Sequence, residues 1–278
     1  MRGLHVLRLG RVPFAESNEI QDALHSRRVA GDTPDILLLL EHPHTYTLGR
    51  NFKQEHLIAS EDFLAKAGID VHEVDRGGSV TYHGPGQLVF YPIISLADGE
   101  SEADVVRYLR TLEESIIAAV RRFGVLSQRR VGMTGVWVGA TKLASIGVHV
   151  SRGISKHGGA INVSTDLSFF EGMVPCGIDR VEMTSLEQVL ARKISLDDVG
   201  SQVASELARL THRRLVESTP YKLDVDDIAG LEASSVVKVG EEDPARLESR
   251  GTVSDLRAPR SSEGDGESPG ETTSKGAV

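Results

Sequence analysis

The alternation of apolar and polar positions predicts a chain that mixes strands with amphipathic helices. Residues 4–9 and 36–40 are predicted strands, and the second is apolar on both faces, as in the centre of a sheet. Between them, residues 13–30 suit a helix, since a proline stands near its start and Gly31 just past its end. The first part of the chain therefore reads strand, helix, strand.

Three more helices are predicted further along. The clearest covers residues 102–123, where apolar residues recur at spacings of three and four before Gly124. Thr184 followed by Glu187 matches a capping box and predicts a helix that continues to residue 192. A last helix fits residues 199–210.

The middle third is rich in strands and glycine. Its segments are RGGSVTYHGPGQLVFYPII at 76–94, GVWVGATKLASIGVHV at 135–150 and GGAINVSTDL at 158–167. Helices that flank a long, largely antiparallel run of strands predict an α+β domain.

Composition limits the partners and the compartment. The 31 basic and 40 acidic residues give a net charge of -9, which repels phosphate backbones, so nucleic acid is not an expected partner. The longest apolar run, residues 36–40, is far too short to cross a membrane. One cysteine in 278 residues cannot form an internal disulfide, and this favours the reducing cytoplasm.

The end of the chain differs from the rest. Residues 235–278 contain no aromatic residue and are dominated by small, charged and turn-forming types, so they cannot bury enough apolar area to fold. We predict a folded domain over residues 1–215, an ambiguous boundary at 216–234 and a disordered acidic tail at 235–278.

Lys142 stands in an unusual position. If residues 142–150 form a strand, alternation places Lys142 on the same face as Ala144, Ile146, Val148 and Val150. Such a lysine either extends from the strand end to water or is desolvated and needs a partner. A desolvated lysine, or one beside a thiolate, is suited to proton transfer.

Two glycine pairs offer open backbone. Gly77 and Gly78 precede a short predicted strand, 79–82, which Arg76 and His83 bracket, while Gly158 and Gly159 precede another strand. Glycine pairs form tight turns or allow a ligand to lie against the peptide groups. The chain contains no GxGxxG after a strand and no phosphate-binding GxxxxGK[ST] motif.

The histidines and the cysteine complete the candidate chemistry. His42 and His44 flank a proline, but no third ligand follows at a recognised spacing, so we predict no metal. Cys176 lies in VPCGI, where proline and glycine favour a loop. The residues alone leave Cys176 open as a buried small apolar residue or as a nucleophile.

Together, three blocks resemble the lipoate-protein octanoyltransferases, also called lipoyl(octanoyl) transferases. They are RGGSVTYHGPGQLVFYPI, then GVWV with KLASIGV, then HGGAINVSTDLSFFEGMVPCGI, and the resemblance spans about residues 35–190. It implies an α+β fold similar to the biotin and lipoate protein ligase catalytic domain, a mixed β-sheet sandwich flanked by helices. It also implies transfer of an octanoyl group from acyl carrier protein to a lysine of a lipoyl domain, with no cofactor and no ATP.

The resemblance also implies roles for particular residues. Cys176 matches the nucleophile that carries the octanoyl group as a thioester, and Lys142 matches the lysine that lowers the pKa of that cysteine. Members of the family usually have a bulky apolar residue where this chain has Gly159, so its chain-length preference is expected to be broader if that position lines the acyl tunnel. The matching substrate-binding residues are Arg76, Gly77, Gly78, Ser79, Val80, Thr81, Tyr82, His83, Ser145, Ile146, Gly147, Gly158, Gly159 and Ala160.

Two alternatives stay open at this point. An ATP-dependent lipoate or biotin ligase on the same scaffold would explain the glycine-rich block without a nucleophilic cysteine, although HGPGQ and PCG argue against it. A non-catalytic module that binds carrier protein would need neither Cys176 nor Lys142, and the presence of both disfavours it.

Overall fold

The structure, a computed structural model, describes residues 1–96, 104–174 and 181–218. The five α-helices described are α1 (Phe14–Ala30), α2 (Glu61–Ala67), α3 (Val105–Arg121), α4 (Leu186–Leu190) and α5 (Leu196–Leu210). The strands are β1 (Gly3–Arg11), β2 (Asp35–Glu41), β3 (Thr45–Leu48), β4 (Asp70–Glu73), β5 (Val80–His83), β6 (Gln87–Ile93), β7 (Gln128–Arg130), β8 (Met133–Val138), β9 (Thr141–Ser151), β10 (Ile154–Asn162) and β11 (Arg214–Glu217). Two 3-10 turns lie at Gln54–His56 and Leu167–Gly172.

Eight strands form one mixed sheet in the order β11-β1-β2-β6-β10-β9-β8-β7. Strand β1 is parallel to β11 and β2, and the remaining neighbours are antiparallel. A second sheet has the order β4-β3-β5. The predicted inner position of β2 is confirmed, because its residues are buried from Asp35 to Leu40.

Helices cover both faces of the large sheet. Helices α3 and α5 pack on one face with Leu37, Phe90 and Ala144, while α1 packs on the other with Leu38 and Tyr91. The small sheet has its own apolar cluster, which includes Tyr46 and Tyr82. The α+β class and the mixed sheet flanked by helices are therefore confirmed.

The predicted helices are present with shifted ends. Helix α1 ends at Ala30 and is capped by Gly31, whose φ of 89° is the left-handed conformation that glycine tolerates. Helix α3 begins at residue 105 because the Asp104 side chain accepts a hydrogen bond from the amide of Arg107. Helix α5 begins three residues before the predicted start because Ser195 caps it.

The predicted capping box at Thr184 is wrong by one residue. The side chain of Ser185 accepts from the amide of Gln188, so α4 begins at Leu186 and ends at Leu190, two residues before the predicted end. The Thr184 amide instead donates to the carbonyl of Lys142, 3.0 Å away, so the backbone of Thr184 is bound to strand β9.

Two strand boundaries also differ from the prediction. Gly158 and Gly159 lie inside β10, which starts at Ile154, and do not precede the strand. Strand β5 runs one residue later than predicted and includes His83. Residues 219–278, which contain the predicted tail, lie outside the described residues, and β11 pairs with β1 as far as Glu217. Within the described ranges, no helix is long and apolar enough to cross a membrane.

Candidate active site

One narrow cavity, with a volume of about 50 Å³, lies where residues 76–81 meet β9 and β10. Except for Tyr82, every predicted site residue that the structure describes lines it. Phe14, Tyr91 and His157 also line it and were not predicted. The predicted residues on its wall are Arg76, Gly77, Gly78, Ser79, Val80, Thr81, His83, Lys142, Ser145, Ile146, Gly147, Gly158, Gly159 and Ala160.

Residues 76–79, which we call the RGGS loop, are fixed through their backbone. The amides of Gly49, Arg50 and Asn51 donate to the carbonyls of residues 79, 76 and 78 at 2.9–3.0 Å. On its other side, the Gly77 amide donates to the carbonyl of Val148 in β9 at 2.9 Å. This Gly77 amide is therefore occupied, so it is not a free donor for a bound acyl group.

The Arg76 guanidinium holds the start of the RGGS loop from within. It is 8% exposed. Its Nη2 donates to the carbonyl and the hydroxyl of Thr47 at 2.6 and 2.8 Å, and its Nη1 donates to the carbonyl of Gly77 at 3.0 Å. Thus the arginine predicted to bind substrate also braces the loop against β3.

Gly147 lets β9 approach the RGGS loop closely. A Cβ built on Gly147 would lie 2.7 Å from the carbonyl oxygen of Gly77 and 3.1 Å from Cδ of Arg76. Real Cβ atoms do not come this close to backbone, so glycine is required here by packing. Strand β8 pairs with β9 only as far as Ala144, and the RGGS loop contacts the next part of that strand edge.

Lys142 is buried, with 2% of the residue exposed, so the desolvated alternative describes it. Its backbone is fixed by the Glu182 carbonyl, which accepts from its amide at 2.8 Å, and by the Thr184 amide. Its ammonium lies 5.7 Å from the ring centre of Trp137, within the range of a cation–π interaction. Because side chains alternate along β9, the Lys142 side chain lies in an enclosed site.

Lys142 also connects the narrow cavity to a wider one of about 420 Å³. The two share Lys142, Ile146, Gly147 and residues 77–79. The wider cavity is lined further by Leu109 and Trp137. The lysine therefore stands between a narrow compartment and a broad, partly apolar one.

A chain of side-chain hydrogen bonds runs from the carbonyl of Thr184 to His83. Asn162 donates to the carbonyl of Thr184 at 3.0 Å, Gln87 donates to Asn162 Oδ1 at 2.9 Å, and Gln87 Oε1 lies 2.8 Å from His83 Nδ1. An amide oxygen only accepts, so His83 Nδ1 carries the hydrogen and Nε2 is an acceptor. Burial, with His42 adding to it, keeps the pKa of His83 well below its ordinary value, so the ring is neutral.

Asp75, Lys156 and His157 form a charged cluster that was not predicted from the sequence. Asp75 Oδ1 accepts from His157 Nε2 at 2.6 Å, and Oδ2 lies 3.1 Å from the ammonium of Lys156. The hydrogen bond from His157 and that from Lys156 hold the pKa of Asp75 well below its usual range. This cluster joins the residue before the RGGS loop to β10.

Tyr82 faces away from the cavity. Its ring stacks on Phe169, with 5.1 Å between the ring centres, and its hydroxyl hydrogen-bonds with Nδ1 of His44. Because side chains alternate along β5, Thr81 and His83 take the other side. Tyr82 therefore packs within the small-sheet cluster.

Gly159 lies directly opposite Phe90 of β6 in the sheet. A Cβ built on Gly159 would lie 2.6 Å from Cζ and 2.7 Å from Cε1 of the Phe90 ring. The phenyl group of the neighbouring strand thus fills the volume that a side chain at position 159 would take. At this position the space next to β10 is therefore filled from β6.

The histidines around Pro43 have structural roles. His42 Nδ1 donates to the Val12 carbonyl at 2.7 Å, and its Nε2 lies 2.9 Å from the hydroxyl of Tyr91. Burial lowers the pKa of His42 to about 4. Within the described part of the chain, no three His, Cys, Asp or Glu residues form a group that could hold a metal ion.

Cys176 lies outside the described residues, between the ranges that end at residue 174 and resume at residue 181. The amide of Val174 donates to the His56 carbonyl at 2.8 Å, and Glu182 is bonded to Lys142 as described above. His56 and Val181 both line the wider cavity that contains Lys142.

Comparison with known proteins identifies relatives over most of the chain. The model of the lipoyl protein ligase A/B catalytic domain matches residues 13–208. The octanoyltransferase of Solibacter usitatus is 48% identical over 210 residues, which cover 76% of this chain and 94% of that protein. The octanoyltransferase of Syntrophobacter fumaroxidans is 43% identical over 219 residues, covering 79% and 95%.

Solved structures share the fold at low identity. A lipoate-protein ligase A crystallised with ATP aligns with a TM-score of 0.65 at 19% identity and covers 84% of this chain and 96% of its own. A bipartite lipoate protein ligase of Thermoplasma acidophilum, studied with its E2 lipoyl domain, aligns at 0.64 and 17%, covering 87% and 99%.

Proposed function

The chain belongs to the lipoyl protein ligase A/B catalytic domain family and is an octanoyltransferase of lipoate synthesis, and we propose that it works through a thioester on Cys176. The octanoyl donor in this proposal is acyl carrier protein, and the acceptor is a lysine of a lipoyl domain. The observation that carries the proposal is Lys142, which is buried at the junction of two cavities and bonded to the segment that resumes after Cys176.

The first half-reaction needs a thiolate. A cysteine near its ordinary pKa of about 8.5 is only a few per cent ionised at neutral pH, and a neighbouring ammonium increases that fraction. In the proposed step, the Cys176 sulfur attacks the thioester carbonyl of the donor, and the carrier sulfur leaves. Lys142 gives its proton to the departing carrier thiolate, so the carrier is released as a thiol and Lys142 becomes neutral.

The second half-reaction returns that proton. The amine of the target lysine attacks the octanoyl thioester, an amide bond forms, and the Cys176 sulfur leaves as a thiolate. Neutral Lys142 takes the proton that the attacking amine loses, which restores the ammonium and thiolate pair. No step consumes ATP, since an amide replaces a thioester.

The cavity walls supply the positioning in this proposal. The RGGS loop and residues 145–147 and 158–160 present glycine backbone and little bulk, which suits close passage of an acyl chain. The neutral His83 ring accepts at Nε2 and adds no competing positive charge. We also propose a cytoplasmic location, which agrees with a free catalytic thiol.

Intact-mass spectrometry tests the covalent step. Mixed with octanoyl-acyl carrier protein and no ATP, the protein should gain one octanoyl group that hydroxylamine removes, and Cys176→Ser should gain none. Adding a lipoyl domain should discharge the adduct and acylate one lysine of that domain.

Three results would contradict the proposal. Equal acylation of Cys176→Ser would move the nucleophile elsewhere. A requirement for ATP would support the ligase alternative. Binding of carrier protein with neither an adduct nor transfer would support the non-catalytic module.

A further inference from the structure

Gly135, in β8, lies against the side chain of Lys142. A Cβ built on Gly135 would lie 2.6 Å from Cε of Lys142, 3.4 Å from Nζ and 2.5 Å from the carbonyl oxygen of Ala144. Real Cβ atoms do not come within 3.0 Å of heavy atoms in non-neighbouring residues, so the contacts with Cε and with the carbonyl oxygen cannot form. Every residue larger than glycine at 135 would therefore have to displace the end of the Lys142 side chain as well as the Ala144 carbonyl.

A buried carboxylate fixes the backbone of Gly135. Glu113 in α3 is fully buried, and its Oε1 accepts a hydrogen bond from the Gly135 amide at 3.0 Å. Its Oε2 is bound by Arg110 at 2.6 Å and by Arg129 at 3.2 Å. These two arginines compensate the buried charge, as a carboxylate in this position requires.

The backbone of Gly135 is itself specialised, with a φ of 127° that residues with side chains rarely adopt. Strand β8 has an irregular register here, between Val136 and Trp137, and Trp137 carries the ring that the Lys142 ammonium approaches. Next to Lys142, the glycine at 135 thus combines a hydrogen bond to Glu113 with a position beside the irregular register of β8.

We propose that Gly135, anchored by Glu113, is a positioning residue that holds open the space in which the Lys142 ammonium must sit. The inference rests on the proposed function of Lys142. Gly135 has no side chain, so in this proposal it acts through the lysine. Its replacement should therefore change the ionisation of the thiol, beyond any loss of stability.

The test uses the pH dependence of iodoacetamide labelling, which reports only Cys176 because the chain has a single cysteine. We expect Lys142→Ala to move the labelling midpoint upward by about one pH unit or more. Gly135→Ala should move it in the same direction by at least half as much. Transfer at saturating substrate should fall with it, while KM changes less than twofold.

Gly139→Ala is the matched control. Gly139 lies in the turn between β8 and β9 and also has a positive φ, 56°, but a Cβ built on it would meet nothing within 4 Å. It therefore tests the addition of a methyl group to a glycine of positive φ next to β8 and β9 without the contact to Lys142, although its φ is less strained than that of Gly135. Its labelling midpoint should equal that of the unmodified protein.

Glu113 provides a second pair of variants if Gly135→Ala does not fold. Glu113→Gln keeps an oxygen that accepts from the Gly135 amide, and Glu113→Leu does not. The labelling midpoint should stay unchanged in the first and rise in the second. Equal midpoints in both would overturn the anchoring role.

Different results would contradict the role of Lys142 and the role of Gly135. If Lys142→Ala leaves the midpoint unchanged, the proposed role of the lysine is wrong. If Lys142→Ala raises it but Gly135→Ala behaves as Gly139→Ala does, only the positioning role of Gly135 is wrong.

Discussion

Gly159 and Phe90 should be energetically coupled, because the phenyl ring occupies the place of a side chain at 159. The substitution Gly159→Ala brings a methyl group to 2.6 Å from Cζ and 3.2 Å from the carbonyl oxygen of Ser145. Phe90 is fully buried in the apolar cluster that includes Leu37, Leu39 and Leu88, so its ring has little room to move. Overpacking of this kind costs about 1–3 kcal/mol of unfolding free energy.

The compensating change is Phe90→Leu. Leucine lacks the Cε1 and Cζ atoms that the new methyl group would meet. Alone, Phe90→Leu should cost roughly 1–2 kcal/mol through the cavity that it leaves. In the double variant the methyl group enters that cavity, so the loss should be smaller than the sum of the two single losses by at least about 1 kcal/mol.

Urea unfolding of the four proteins at one pH measures this coupling through a double-mutant cycle. Gly158→Ala supplies the control, because a Cβ on Gly158 would meet the backbone carbonyl of Phe90 and not its ring. Phe90→Leu should not rescue that variant. Losses at 159 and 90 that add within about 0.5 kcal/mol would refute the compensation.

The same variants measure acyl selectivity. Since Gly159 lines the narrow cavity, removing the ring behind it should allow longer acyl chains. We expect Phe90→Leu to raise the rate with decanoyl relative to octanoyl donor, and the double variant to restore the original ratio. An unchanged ratio in Phe90→Leu would show that this part of the cavity wall does not limit the length of the acyl chain.

Two other predictions concern buried polar groups. Burial lowers the pKa of His42 in the folded protein to about 4, whereas the unfolded residue titrates near about 6.5. The unfolded chain therefore binds one more proton than the folded chain as the pH falls. The free energy of unfolding should drop by about 2 kcal/mol between pH 7 and pH 5 because of this residue. His42→Gln, which can still donate to Val12 and accept from Tyr91, should lose that much less over the same interval in urea unfolding, and an unchanged pH dependence would contradict the assignment. Arg76→Lys cannot reach the three acceptors that the guanidinium bonds, so the unfolding free energy should fall by about 1–3 kcal/mol and KM for the octanoyl donor should rise. Unchanged KM and stability would show that the brace is dispensable.

Local sequence signals predicted many of the elements because they depend only on neighbouring residues. The proline and Gly31 at its ends gave helix α1, and a run of apolar residues gave strand β2, both almost to the residue. The start of α4 was missed because Thr184 and Ser185 are both good capping residues, and the choice between them depends on the bond from Thr184 to Lys142. That partner is distant in sequence, so no local pattern could reveal it.

Some residues of the candidate site could likewise be predicted from the sequence, and others could not. The RGGS loop and Lys142 could be predicted because glycine pairs and a lysine on an apolar strand face are locally unusual. Asp75 and Glu113 were missed because an acidic residue in sequence looks like an ordinary surface charge. Only the fold shows that one binds His157 and that the other is buried beneath Gly135.

The hydrogen bond from the Gly77 amide to the Val148 carbonyl also covers a strand edge that β8 leaves unpaired. Beyond Ala144, β9 is no longer paired with β8 along this edge, and unpaired strand edges can recruit strands from other molecules. The RGGS loop covers this edge from the side. Loss of the loop contacts should therefore promote aggregation as well as weaken binding, because it would expose this strand edge.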